Sequence, residues 1–141
     1  MHNWANVFGS YVNSGIYTIA QVQKIGNIQK TALDCGLDFQ QIDLKNIKGK
    51  EGFLKKLADV LNFPDYFGMN WDALNDCLTD LSWKPANGYV LFFRNFSRFI
   101  ENAPEDWKTA RNIFDSAANY WKEKAIPFYI ILSDQSLQDS H

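Results

Sequence analysis

The chain has 141 residues, which suits one domain able to bury its own core. Apolar residues make up 46% and aromatics 16%, which excludes a disordered polymer. The formal net charge is only −2, which excludes a nucleic-acid binder held by bulk charge and makes any acidity that matters a local property.

Residues 1–14 are weakly patterned. Residues 15–20 follow an Asn-Ser-Gly turn signal and are rich in strand formers, so they predict a strand. Val22, Ile25, Ile28, Ala32 and Leu33 recur at helical spacing up to Gly36, a fitting C-cap. Residues 39–44 read as a second strand. Phe53, Leu54, Leu57, Val60 and Leu61 then mark an amphipathic helix. Residues 63–68 form a turn-rich connector, and Asn70 is a good N-cap for a helix over 70–81. Residues 89–93 are a strand of the fully buried type. Phe96, Phe99 and Ile100 fit either a short helix or a packed loop. Residues 105–124 predict a long helix around Ile113, Phe114, Ala117, Tyr120 and Trp121, broken at Ala125-Ile126-Pro127. Residues 128–132 are the last strand, and Ser133 to His141 reads as a loose polar tail. The alternation predicts one α/β domain with a mostly parallel sheet and right-handed crossovers.

Several chemistries lack their residues. The only histidines are His2 and His141, so a histidine-based catalytic or metal site would need a chain end folded back into the domain. There is no GxGxxG, GxxxxGK[ST], CxxC pair or HExxH. The first residues carry no basic and apolar leader pattern, and the longest apolar runs are strand-length, so a cytoplasmic location is expected, with Cys35 and Cys77 as free thiols.

The most informative segment lies between Leu57 and Trp83. It contains no lysine or arginine but five aspartates: Asp59, Asp65, Asp72, Asp76 and Asp80. On a helix over 70–81 the last three stand at i, i+4 and i+8 and share one face, where like charges cost a few tenths of a kcal/mol per pair, about 0.2–0.5. Trp71, Leu74, Leu78 and Leu81 form the opposite, apolar stripe with Cys77 beside it, and Asn75 and Thr79 fall on the acidic side. An acidic stripe without counter-charge points to a basic partner.

Residues 63–80, Phe-Pro-Asp-Tyr-Phe-Gly-Met-Asn-Trp-Asp-Ala-Leu-Asn-Asp-Cys-Leu-Thr-Asp, resemble the signature of the barstar family, intracellular inhibitors of microbial ribonucleases. That signature runs proline, acidic residue, two aromatics, glycine, then Asn-Leu-Asp-Ala-Leu-x-Asp-Cys-Leu-Thr. Pro64, Tyr66, Gly68, Asn70, Asp72, Ala73, Leu74, Asp76, Cys77, Leu78 and Thr79 match it. The likeness continues through Ile130-Ile131-Leu132-Ser133 in the last strand. It implies a barstar-like two-layer α/β fold over residues 39–133, with three parallel strands packed with helices. Residues 1–38 form an extension able to add a fourth strand and a helix at the sheet edge, and residues 134–141 form the tail.

The resemblance also implies roles. The family plugs a ribonuclease active site with this helix and the loop before it, its carboxylates standing where RNA phosphate would sit. Asp76 is then the phosphate mimic, Asp72 its companion and Tyr66 the aromatic that packs on the enzyme, with Gly68 and Thr79 in support. The expected partner-binding set is Tyr66, Gly68, Asp72, Asn75, Asp76, Thr79 and Asp80. No catalytic residue, cofactor or metal is expected, nor direct nucleic-acid or membrane binding, and the chain is expected to be monomeric before it meets its partner. Four departures stand out. An interface tryptophan of the archetype is Asn75, a loop glutamate is Met69, an interface glutamate on the helix before the last strand is Ser116, and a strand-opening proline is replaced near Gly88.

Other readings of these residues compete. Asp72, Asp76 and Asp80 could be a solvated helix face, or two of them could hold Mg²⁺, although no third carboxylate donor is evident. Of the adjacent aromatics, Phe67 is assigned to the core and Tyr66 to the surface, while Trp71 and Cys77 read as packing residues. The lysines Lys45, Lys48, Lys50, Lys55 and Lys56 lack interleaved aromatics and read as solvated rather than RNA-binding. The same scaffold could serve as a non-inhibitory interaction module for a basic partner. An enzyme would need an aspartate pair of raised pKa.

Overall fold

A computed structural model describes residues 3–19 and 25–133. The expected helix start at Val22, the strand end at Ala20 and the polar tail beyond Ser133 lie outside the described residues. The elements are α1 (Trp4–Phe8), β1 (Gly15–Ile19), α2 (Ile25–Asp34), β2 (Asp38–Asp43), α3 (Lys50–Leu61), α4 (Trp71–Leu78), β3 (Tyr89–Arg94), α5 (Phe96–Asn102), α6 (Pro104–Glu123) and β4 (Phe128–Ser133). A single 3-10 turn, Tyr11–Asn13, joins α1 to β1.

The four strands form one sheet in the order β1-β4-β3-β2, and every pairing is parallel. β4 and β3 lie in the middle, which explains why both are buried along almost their whole length and read as unbroken apolar runs. The strand contributed by the N-terminal extension is β1, hydrogen-bonded to β4 at the sheet edge. From β1 the chain crosses the whole sheet to β2, then steps back through β3 to β4. Right-handed crossovers in opposite directions put their helices on opposite faces of a sheet, and two cores result. One face carries Ile42, Leu91, Phe93, Phe128, Ile130 and Leu132 against α3, α4, α5 and α6. The other carries Phe39, Val90, Phe92, Tyr129 and Ile131 against Trp4 and Phe8 of α1 and Ile28 and Ala32 of α2. The family-like part therefore makes the sheet and one helical layer, and the extension adds an edge strand and a cover for the second face.

Local signals set the element ends. Gly36 closes α2 with φ +79°; Gly36 N–H donates to Leu33 O at 2.9 Å and Leu37 N–H to Ala32 O at 3.0 Å, the paired bonds of a Schellman cap. Gly88 admits the chain into β3 where a Cβ would stand 2.6 Å from Leu37 Cδ2 and 2.9 Å from Pro127 Cβ. No larger residue fits there without displacing both neighbours. α6 opens with Pro104 at its first turn, followed by Glu105 and Asp106, whose charges suit a helix N-terminus.

Candidate partner-binding surface

α4 is only eight residues long, so its stability comes from packing rather than propensity. Asn70 caps it: its Oδ1 accepts from Ala73 N–H at 2.8 Å, while Asp72 occupies the favourable first turn. Leu74, Cys77 and Leu78 are buried. Trp71 is half-buried with its ring 6.0 Å from that of Phe53, the packing role expected of it. The Trp121 indole N–H of α6 donates to Leu78 O at 2.7 Å, so a buried partner satisfies one carbonyl of the last turn.

The helix ends three residues before the expected limit. Thr79 N–H and its hydroxyl both donate to Asn75 O, at 3.1 and 2.8 Å, and Leu81 turns into the core with φ +52°. Leu81 is 2% exposed, so burial of its side chain offsets the left-handed backbone. Asp80 consequently lies in the turn beyond α4 and not on its acidic face. The i, i+4, i+8 stripe reduces to Asp72 and Asp76, with Asp80 beside them in a different backbone setting.

All three carboxylates are exposed. Among the described residues the ion pairs are Lys30–Asp34 and Lys84–Asp38, and neither involves Asp72, Asp76 or Asp80. The connector before α4 splits its aromatics as expected. Phe67 packs on Phe63 at 4.9 Å between centroids, whereas Tyr66 is 73% exposed. The Tyr66 hydroxyl is held above its usual range, first by partial desolvation, then by the negative charge of Asp80 and of Cys77 beside it. Burial, then Asp80 and Asp76, pushes the Cys77 thiol up, which disfavours the thiolate a nucleophile requires. Gly68 has ordinary backbone geometry, but a Cβ there would sit 3.2 Å from Asn70 Nδ2 and press on the cap. Asn75 and Thr79 are partly buried along one flank.

One feature was not visible in the sequence. A shallow groove of about 380 Å³ runs between α4 and α6, where Trp71, Asp72 and Asn75 face Asn112, Ile113 and Ser116. No single-segment pattern encodes it, because its walls are distant in the chain. Two of the departures from the family pattern, Asn75 and Ser116, both line it. Among the described residues no three His, Cys, Asp or Glu side chains converge as a metal-binding group. No described helix is long and apolar enough to cross a membrane.

Comparison with known proteins adds the following. A family model described as Barstar (barnase inhibitor) matches residues 37–133. YrdF of Bacillus subtilis (strain 168), named as a proposed ribonuclease inhibitor, is 33% identical over 79 residues, covering 56% of this chain and 77% of YrdF. Among solved structures, the ORC2 protein of Aeropyrum pernix aligns with a TM-score of 0.54 at 14% identity, over 89% of this chain and 37% of that one. A Walker-type ATPase of Pyrococcus abyssi aligns with a TM-score of 0.55 at 13% identity, over 98% of this chain and 46% of that one. This chain thus spans less than half of either, and the likeness shows a shared parallel α/β layout alone.

Proposed function

The chain belongs to the barstar family, and from that premise we propose that it is a stoichiometric protein inhibitor, of the immunity or antitoxin kind, of a microbial ribonuclease. In this reading α4 and the loop before it occlude the enzyme's basic active site. Asp76 takes the place of an RNA phosphate, Asp72 stands beside it, and Tyr66 packs on the catalytic surface, with Gly68, Asn75, Thr79 and Asp80 around them. Ribonuclease active sites present cations to phosphate, and a carboxylate held on a rigid mount meets them through charge-assisted hydrogen bonds. The observation that carries the reading is the two-sidedness of α4. Leu74, Cys77 and Leu78 lock it to the core, while Asp72 and Asp76 are exposed and, among the described residues, pair with no cation. The protein acts by binding and not by turnover. It works in the cytoplasm and is monomeric until it meets its target.

A differential capture from host lysate tests this, with wild type and Asp72→Ala/Asp76→Ala as baits. Wild type alone retains a basic ribonuclease, whose activity then falls to zero at one equivalent of inhibitor. Loss of either charge alone costs about 2–5 kcal/mol, the range for truncating one member of a buried interfacial charge pair, and the double variant loses at least as much. Identical captures by both baits, with the double variant shown to be folded, would refute the assignment of this face. Asn75, Met69 and Ser116 remove an aromatic and two carboxylates from the family surface, and they favour one other reading: an interaction module for a basic partner that is not a nuclease. A captured partner without nuclease activity would decide for it.

A further inference from the structure

We propose that Met69 is itself a partner contact, and that the partner carries an apolar spot on the rim of its cationic cleft. This rests on the reading of α4 and its loop as the binding face. Met69 has φ +53°, a left-handed conformation that costs a residue with a Cβ about 1–2 kcal/mol and that glycine or asparagine adopts more cheaply. Met69 keeps 42% of its surface exposed and belongs to neither hydrophobic core, so a large part of its thioether side chain is left for a partner to cover. Its neighbours do pack: Phe63, Phe67 and Trp71 all lie against the larger core. Met69 thus carries a backbone cost and leaves apolar surface uncovered at the position just before the Asn70 cap of α4.

The place fits a contact. Met69 follows Tyr66 and Gly68 in the connector and precedes Asp72 by less than one helical turn, so it continues the proposed binding face. An unbranched thioether adapts to an uneven apolar surface and packs well against aromatic rings. Interfaces of this kind place apolar anchors among polar and charged contacts. The partner chemistry that matches is a basic cleft for Asp72 and Asp76 bordered by an exposed aliphatic or aromatic side chain. A cleft ringed wholly by cations would favour a carboxylate at position 69.

The test uses the ribonuclease retained in the capture experiment as the probe. The chain has two methionines, Met1 and Met69, so labelling with [13C-methyl]methionine gives two signals, and Met69→Asn assigns one of them. Adding the nuclease shifts the Met69 methyl resonance. Met69→Asn, which keeps a residue tolerant of the left-handed backbone, melts no lower than wild type and dissociates roughly tenfold faster or more. An unmoved Met69 signal, with dissociation of Met69→Asn within twofold of wild type, would overturn the proposal while Asp76→Ala still abolished binding. If Asp76→Ala binds normally, or no nuclease is retained, the inhibitor reading falls first and this inference with it.

Discussion

Asp72, Asp76 and Asp80 are alike in sequence and unlike in place. Asp72 and Asp76 ride on α4, whereas Asp80 sits past the Thr79 cap, where it acts on the Tyr66 hydroxyl. The negative charge of Asp80 disfavours the tyrosinate, so its removal should bring the Tyr66 titration down toward the ordinary value. Ultraviolet titration of Asp80→Asn against wild type, with Tyr66→Phe identifying the signal, reads this directly. An unchanged Tyr66 midpoint would show that the two side chains are not linked in solution. The split between Tyr66 and Phe67 was legible in the sequence because adjacent aromatics in a turn rarely share one side of the chain. The position of Asp80 was not legible. Periodicity carries a helix forward through Leu81, and only the burial of Leu81 in a left-handed turn ends it early.

The elements follow the same logic. Strands β3 and β4 stood out as apolar runs because the middle of a parallel sheet is buried on both faces. Helices α3 and α6 stood out by their period. The five-residue α1 left no such trace, since Trp4, Val7 and Phe8 span little more than one turn and a single turn defines no repeat. The end of α4 depends on a residue more than forty positions away, the Trp121 indole that donates to Leu78 O. Trp121→Phe keeps the aromatic body and removes that donor. It should leave a buried carbonyl unpaired and cost about 1–3 kcal/mol, seen as a lower denaturant midpoint at unchanged slope. The loss should concentrate at the end of α4, so amide exchange at Thr79, Asp80 and Leu81 should speed up more than in β3. Uniform acceleration across the molecule would mean that the bond stabilises the fold in general and not the end of this helix.

At the scale of the whole molecule, the joint that matters is between the extension and the family-like part. The second face of the sheet offers Phe39, Val90, Phe92, Tyr129 and Ile131, and among the described residues α1 and α2 cover it. Tyr129 fastens this layer. Its hydroxyl donates toward Ser10 O at 2.7 Å and Val7 O at 3.0 Å, and its ring lies 5.1 Å from that of Phe8. Ser14 Oγ adds a second tie by accepting from Phe128 N–H at 2.9 Å. Burial, with smaller contributions from Tyr17 and Cys35, pushes the Tyr129 phenol up to about 12 from an ordinary 10.0. The folded state therefore keeps this proton after the unfolded chain has released it. The stabilising contribution is complete below pH 10 and disappears as the pH climbs toward 12, a loss on the order of 2 kcal/mol. Tyr129→Phe removes the titrating group together with its two hydrogen bonds. Urea unfolding should then show the variant less stable than wild type at pH 8 by about 1 kcal/mol, with the gap closing or reversing by pH 11.5. A gap that stays constant across this range would mean that Tyr129 ionises alike in the folded and unfolded chains, and that its hydroxyl ties the layer by hydrogen bonds alone with no pH dependence.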